Sequence, residues 1–561
     1  MISLISELIR KEIGDLDFKV TIPEFKSQGH FSTNVAFAIS KENKNSPMQA
    51  AEDLKNAILK NADAKILLKV EVAKPGYINF WLSDEFLKNE FIKIYSQKDN
   101  FGKTDLGKGK KAIVEYSSPN IAKIMHVGHM RSTIIGDAIA NIHEYVGYEV
   151  IRWNYIGDWG TQFGKLIAAY KLWGNKEAIE KDPIKSLLDL YVKFHEELKN
   201  NPELDKRGQE EFQKLESGDK ENRKVWEWFK EESLKEFEKT YKRLGIKFDV
   251  SIGESFYEKE LKQITKELLD NGIAKKSEGA TIIPFETEKL PPGLIEKSDG
   301  ASLYLTRDIA NLKYRISEYK PSKILYVVAS QQDLIFKQLF AIAKMLGIKD
   351  VELKHVNFGM VLGSDNKKLA TREGKIIPLE NLINKSVDAA LEIVKKKNGD
   401  LSETDSKEIA EAVGIGSLKY NDLSQNRLSD ISFDWEKMLN LEGNSSPYLQ
   451  YTYARLRSIL RKSGEVKMFN VKQFSEMDLD LVSKLIQFPD VLEEVCKTYY
   501  PNHLTDYLYD LSKSANAMYQ SEPVLSAEGE EKETRLALVD MISWVLGTGL
   551  GLLGIKTPEK I

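Results

Sequence analysis

"SSPNIAKIMHVGHMRSTIIGD", residues 117–137, decides how the rest of the chain is read. A short β-like run, Ala112-Ile113-Val114, precedes it, and an apolar helical pattern follows. Between them His126 and His129 stand three apart, in a chain with only 7 histidines. A metal pair would need a third ligand and usually shows the helical HExxH spacing, which is absent. Two capping or packing imidazoles would explain an isolated pair. The third reading is phosphate binding. A strand that ends in a small polar turn and opens a helix offers free backbone N–H groups and a favourable dipole. Gly128 lets a bulky ligand approach the backbone, and two imidazoles can donate to phosphoryl oxygens as charge builds.

Working outward, short β-rich runs alternate with amphipathic helices from about 111 to 400. AIVEY (112–116), EVIRWNYI (149–156), ILYVVAS (324–330) and KHVNFGMVL (354–362) are the expected strands. Strands separated by helices predict βαβ units and an α/β, Rossmann-like, doubly wound parallel sheet. A charged helical stretch over about 170–245 reads as an insertion. Its Trp226, Phe229, Leu234, Phe237 and Tyr241 recur at helical spacing, which predicts core packing. A second insertion over about 251–300 contains an expected β-hairpin at 272–286. Residues 1–105 mix helix and strand, with two strands turning at Pro75-Gly76, and form an α+β N-terminal domain. FGKTDLGKGK (101–110) reads as the linker, and the catalytic domain spans 106–400. Residues 401–561 are patterned almost wholly as helix and form the C-terminal domain.

The 561 residues exceed a single core and suggest about three or four domains. With 42% hydrophobic and 30% charged residues, the composition is that of a globular protein and not of a disordered one. No run of 18 apolar residues exists, so no membrane span is expected. The first helix carries acids within its apolar pattern and does not resemble a signal peptide. Cys496 is the single cysteine, which excludes an internal disulfide and a cysteine zinc site and suggests a reducing, cytoplasmic home. Net charge is −4, but a large protein can bind RNA through a local basic face.

Beyond HVGH, several separated segments resemble one family, the arginyl-tRNA synthetases of class I, over essentially the whole chain. They are SSPN (117–120), HVGH with MRSTIIGD (126–137), GDWGTQFG (157–164), SDGASLYLTRDIA (298–310) and PYLQYTYARLRSI (447–459). GHFSTNVAFAI (29–39) and VAKPGYINFWL (72–82) resemble the family's N-terminal domain, and GLGLLGIKTPEKI (549–561) resembles its ending. The resemblance implies ATP-driven formation of arginyl-adenylate, then transfer of arginine to the 2′-hydroxyl of the terminal adenosine of tRNA(Arg). Neither step needs a protein nucleophile, so positioning and charge stabilisation are the demands. Two other readings are a small HxGH nucleotidyltransferase, which the chain length disfavours, and a non-catalytic synthetase paralogue.

The resemblance also assigns roles. His126, Gly128 and His129 would bind ATP. Ser118, Pro119, Asn120, His129 and Gln332 would meet the backbone end of arginine, with Glu115 a candidate for its ammonium group. Tyr304, Asp308 and Glu254 would read the guanidinium, because a carboxylate matches its planar fork of donors. Such a pocket would reject lysine and citrulline without an editing domain. In place of the family's KMSK loop stands Lys368-Leu369-Ala370-Thr371, followed by Arg372. The last lysine is a threonine, and Lys123 is expected to supply the missing charge, with Lys368, Thr371 and Arg372 on the nucleotide. Basic and aromatic residues interleave in Tyr451, Tyr453, Arg455, Arg457, Arg461 and Lys462, which suits anticodon binding from about 445 onward. Magnesium is expected with ATP, zinc is not, and a monomer is expected.

Overall fold

The computed structural model describes every residue except 24, 62–64, 287–288, 299, 301–302, 363–376, 465 and 467–470. At its centre is a parallel sheet of β5 (Lys111–Glu115), β6 (Glu149–Ile156), β7 (Val250–Gly253), β11 (Lys323–Tyr326) and β12 (Glu352–His355), in the order β12-β11-β5-β6-β7. The chain starts this sheet in the middle, runs outward through β6 and β7, and returns to fill the other side. The switch therefore falls between β5 and β11, where the loops leaving two adjacent strands diverge and open a crevice. β5 and β11 are apolar almost throughout because both faces are covered. Ala112 and Val114 point into one core, while Ile113 points into the other. Glu115, two residues beyond Ile113, shares that second face.

The first face is covered by α5 (Val127–Tyr145) and by the inserted helices α6 (Thr161–Trp173), α7 (Lys176–Lys181), α8 (Pro183–Leu198), α9 (Glu203–Glu216) and α10 (Lys220–Leu244). The expected aromatic stripe of α10 is core: Trp226, Phe229, Phe237 and Tyr241 are buried, and Leu234 packs at its edge. The second face is covered by α11 (Leu261–Asp270), α12 (Tyr304–Tyr319) and α13 (Asp333–Met345). The expected hairpin is a three-stranded antiparallel sheet of β8 (Lys275–Ser277), β9 (Ala280–Phe285) and β10 (Leu290–Glu296). Two prolines hide β10 in the sequence, and the strand lies at the sheet's edge, where a missing N–H is tolerated.

Two expected strands are shorter than their apolar runs. ILYVVAS pairs continuously only through Tyr326, with one isolated parallel bridge from Ala329 to Phe358 beyond it. KHVNFGMVL pairs at β12 and again at β13 (Val361–Leu362), which joins β14 (Ile431–Ser432) in parallel. Between them the backbone at Gly359 turns to donate to the Arg427 carbonyl at 2.9 Å, which breaks the strand.

The N-terminal region folds α1 (Ile2–Ile13), α2 (Val35–Asn43), α3 (Pro47–Asn61) and α4 (Asp84–Ser96) with an antiparallel sheet. Its strands are β1 (Val20–Thr21), β2 (Phe31–Thr33), β3 (Leu67–Ala73) and β4 (Tyr77–Leu82). β3 and β4 turn at Pro75-Gly76 as the sequence requires. After the sheet come α14 (Leu379–Lys397), α15 (Glu403–Leu423), α16 (Trp435–Met438), α17 (Ser446–Ser463), α18 (Glu476–Leu485), α19 (Phe488–Thr498), α20 (Asn502–Ser521) and α21 (Gly529–Leu552). α21 is long and apolar enough to cross a membrane, but it is largely buried as the central helix of this bundle. Cys496 is buried in α19, and burial pushes its thiol up to about 12.

Candidate active site

The loop from β5 to α5 holds three non-glycine residues in the left-handed region: Ser117 (φ 70°), Ser118 (φ 48°) and Ala122 (φ 59°). Such residues stay there only where surrounding contacts over-determine them. Ser117 N–H donates to Ser132 Oγ at 2.9 Å, and its Oγ lies 2.8 Å from Tyr241 Oη. Ser118 N–H reaches Asn154 Oδ1 at 3.2 Å, and Ala122 N–H reaches Ser233 Oγ at 3.0 Å. Helices α5 and α10 and strand β6 thus set the loop jointly. Asn120 pairs with Gly157 at the end of β6.

At the start of α5 the two histidines cap each other. His126 is the N-cap, and its Nδ1 accepts from Gly128 N–H at 3.1 Å. His129 Nδ1 accepts from His126 N–H at 3.1 Å, with the ring centroids 4.0 Å apart. Two earlier expectations are corrected here. Not all the N–H groups at the start of α5 are left free for phosphate, because imidazole nitrogens already take those of His126 and Gly128. Gly128 also serves His126 first, since a Cβ there would stand 2.9 Å from its Cε1. The capping and phosphate readings are compatible all the same. With both Nδ1 atoms accepting, the neutral rings carry their protons on Nε2. Burial and then the Lys123 charge lower His126, and burial, His126 and Lys123 hold His129 down at about 3. Both rings are therefore neutral donors at pH 7.

These rings line a cavity of about 370 Å³ that also takes in Asn120, Val327, Ala329, Phe358 and Val361. Ser118, Gln331 and Gln332 edge it, and the Ser118 hydroxyl is buried without a partner. Lys123 is exposed, makes no ion pair among the described residues, and is held below the usual lysine range by desolvation. Lys368, Thr371 and Arg372 lie outside the described residues.

On the second face of the sheet the arginine-pocket candidates converge. Tyr304 and Asp308 do not straddle a strand-to-helix switch; both belong to α12, and at i, i+4 they share one face. Tyr304 is 55% exposed at the helix start. Asp308 has neither hydrogen bond nor ion pair among the described residues, and burial followed by the Glu115 charge pushes it up to about 7. Glu254 accepts from Arg307 Nη1 at 3.3 Å, and burial pushes it up to about 8. Arg307 in turn stands 5.5 Å from the Tyr304 ring centre.

Glu115 is a further correction. Its carboxylate accepts from Arg315 Nη2 of α12, and both side chains are buried. Strand alternation explains this, because Glu115 points to the α12 face and a buried carboxylate requires a partner. Arg315 lies 4.4 Å from the Trp153 ring centre and 5.5 Å from that of Tyr326. Sequence reasoning missed Arg307, Arg315, Tyr155 and Tyr326. Near Asp308 the Tyr155 hydroxyl is buried without a partner among the described residues, and the Tyr326 hydroxyl lies against Arg315. Behind Glu254, buried Asp158 accepts from Ser255 N–H at 2.9 Å and pairs with Lys230 at 2.5 Å.

Three carboxylates, Glu115, Glu254 and Asp308, thus face two guanidiniums, those of Arg307 and Arg315, and Asp308 lies beside the buried Tyr155 hydroxyl. An acid so placed suits a cation with several donors.

Comparisons with known proteins place the whole chain in one family. A family model described as "tRNA synthetases class I (R), catalytic domain" matches residues 90–435. An "Arginyl tRNA synthetase N terminal domain" matches 2–82, and a "DALR anticodon binding domain" matches 449–561. The arginine–tRNA ligase of Fusobacterium nucleatum is 41% identical over 549 residues, covering 97% of this chain and 95% of that one. The chain belongs to the arginyl-tRNA synthetase family.

The arginine–tRNA ligase of Halothermothrix orenii is 40% identical, with 99% and 98% coverage. The arginyl-tRNA synthetase structure from Plasmodium falciparum superposes with a TM-score of 0.85 at 28% identity, covering all of this chain and 98% of that one. That from Thermus thermophilus gives 0.84 at 25%, each chain covered in full.

In the segment that matches the family's anticodon-binding domain, α17 places the expected RNA contacts unequally. Tyr451 is exposed, and Arg455 lies 4.9 Å from its ring centre while donating to Asn516 at 2.9 Å. Arg457 and Arg461 share Glu559, at 3.2 and 3.1 Å. Lys462 is exposed. Tyr453 is corrected: it packs inward, close enough to Gly547 that a Cβ there would stand 3.0 Å from its ring.

Proposed function

We propose that this chain attaches L-arginine to tRNA(Arg) in two steps, using ATP. A carboxylate oxygen of arginine attacks the α-phosphorus, the bond to the bridging oxygen breaks, and pyrophosphate leaves. The 2′-hydroxyl of the terminal adenosine then attacks the activated carbonyl, AMP departs, and the hydroxyl proton passes to solvent. Nothing in these steps needs a protein nucleophile, and the work is positioning and charge stabilisation.

In this reading ATP occupies the cavity at the switch point, its phosphates meeting the Nε2–H groups of His126 and His129. Lys123 brings a full positive charge to the leaving pyrophosphate, joined by Lys368, Thr371 and Arg372. Ser118, Pro119, Asn120 and Gln332 hold the backbone end of arginine. The guanidinium enters beside Tyr304, meets Asp308 and competes with Arg307 for Glu254. Glu115 acts through Arg315 and leaves the ammonium group to other acceptors. Magnesium arrives with ATP, bound to its phosphates. Tyr451, Arg455, Arg457, Arg461 and Lys462 contact the anticodon arm. The protein works as a cytoplasmic monomer.

The single observation that carries the specificity is Asp308, an acid left without a partner between two carboxylate–guanidinium pairs. Pyrophosphate exchange across all amino acids, with and without tRNA, tests the whole reading. Exchange restricted to arginine is expected, and no exchange under either condition overturns it.

A further inference from the structure

Arg131 follows His129 by two residues on α5 and has no solvent exposure. A buried guanidinium must find acceptors for its donors. Its Nε donates to Asp422 Oδ1 of α15 at 3.1 Å. The other donors go to main-chain carbonyls, namely Gly359 at 2.9 Å, Ser429 at 3.0 Å and Arg427 at 3.3 Å. The Met360 carbonyl lies at 3.5 Å, and the Phe358 ring centre is 5.6 Å from the guanidinium carbon.

Phe358, Gly359, Met360 and Val361 form one wall of the cavity that the histidines also line. This wall leads directly into the segment that contains Lys368 and Arg372. It is fixed from behind as well. Met360 N–H donates to Asp430 Oδ1 at 2.6 Å, and Gly359 has no room for a Cβ, which would stand 2.5 Å from the Ser429 carbonyl. Fold stability would be served by any buried arginine–aspartate pair. It does not require that one side chain, anchored on the turn of helix that carries the histidines, gather carbonyls from both strands of chain behind the wall.

The structure assigns Arg131 as a positioning residue for adenylate formation. It fixes the wall 358–361 at one distance from the His126 and His129 imidazoles, so that a nucleotide's base and phosphates bind in a single register. Asp422 orients the guanidinium. This rests on the nucleotide reading of the cavity given above. Lys419, three residues before Asp422 on α15, supplies the contrast. It is equally buried, but it donates to the Leu244 and Gly554 carbonyls, both at 2.7 Å, and leaves the wall alone.

The test is pyrophosphate exchange with separate titrations of ATP and arginine, alongside thermal unfolding. Arg131→Lys keeps the charge but cannot span the carbonyls, and it should raise the KM for ATP roughly tenfold with the arginine KM within about twofold. Asp430→Ala, at the exposed edge of the wall, removes the acceptor for Met360 N–H and should shift the ATP KM in the same direction with an unchanged unfolding midpoint, and it decides the matter if Arg131→Lys does not fold. Lys419→Met should lower the midpoint without separating the two KM values. Folded Arg131→Lys and Asp430→Ala proteins with unchanged KM values, or with both KM values rising together, overturn the assignment. Ala329→Trp narrows the cavity and reports on the nucleotide reading itself. If it raises the ATP KM and Arg131→Lys does not, only the role of Arg131 fails; if it leaves the ATP KM unchanged, the nucleotide reading fails.

Discussion

Glu115 and Asp308 are neighbours in charge on the α12 face of the sheet, and only Glu115 has a guanidinium of its own, that of Arg315. Asp308 is consequently an acid that releases its proton near neutrality, at about 7. Only the ionised form attracts a guanidinium, so kcat/KM for arginine should rise with pH through about 7 and then level off. Stability runs the other way. The folded acid binds its proton more tightly than the unfolded one, with its value of 3.8, so the free protein loses stability as pH climbs from about 4 through 7. Arginine should therefore raise the unfolding midpoint more at pH 8 than at pH 5.5. Equal shifts at the two values would count against Asp308 as the guanidinium acceptor. Asp308→Asn should stabilise the free protein at pH 8 while removing arginine binding.

Reciprocal capping at α5 separates two duties of His126. Asparagine can accept from Gly128 N–H and still donate, whereas aspartate can only accept. Asp and Asn variants should both fold near wild-type stability, with alanine weaker by about 1 kcal/mol. Adenylate formation should fall roughly 10²-fold for Asp and Ala, and less for Asn. If Asp and Asn are equally active, donation from Nε2 is not what the ring contributes.

Lys123 is exposed and has no carboxylate partner among the described residues, so removing it should hardly alter stability. Lys123→Ala should slow adenylate formation by about 10- to 100-fold, and Lys123→Arg should restore part of the rate. Single-turnover kinetics separate this from effects on tRNA transfer. An unchanged rate would return the residue to an ordinary surface lysine.

Gly157 faces Asn120 so closely that a Cβ would stand 2.1 Å from Asn120 Oδ1. Gly157→Ala must move that side chain, and the arginine KM should rise about tenfold with the ATP KM little changed. An unaltered arginine KM would remove Asn120 from the substrate's contacts.

The sheet was legible because its middle strands are covered on both faces, and a run such as Ala112-Ile113-Val114 has no other comfortable place. β7 was not, since Val250–Gly253 has only four residues, too few for its alternation to stand out after a long charged helix. KHVNFGMVL misled because apolarity does not report where Arg131 and Arg427 redirect the backbone. His126, His129 and Asn120 could be found from local spacing. Arg307 and Arg315 could not: in LTRDIANLKYRISEY they look like a solvated helix face, and only the aromatic rings of Tyr304, Trp153 and Tyr326 make them interior. Likewise nothing local in the sequence shows that Arg457 and Arg461 share Glu559, which the chain brings back from about a hundred residues away.

The inserted helix α10 lends Tyr241 and Ser233 to the strained loop after β5, Lys230 to Asp158, and the Trp226 indole N–H to the Asp158 carbonyl at 2.8 Å. Segment 170–245 interrupts the sheet in sequence, yet it is the scaffold against which the substrate-facing turn is moulded. A shortened chain in which β6 runs straight to β7 would keep the histidines, Asn120 and Asp308. It would still lose the shape that makes them a site, so the smallest working form of this enzyme must retain its longest detour.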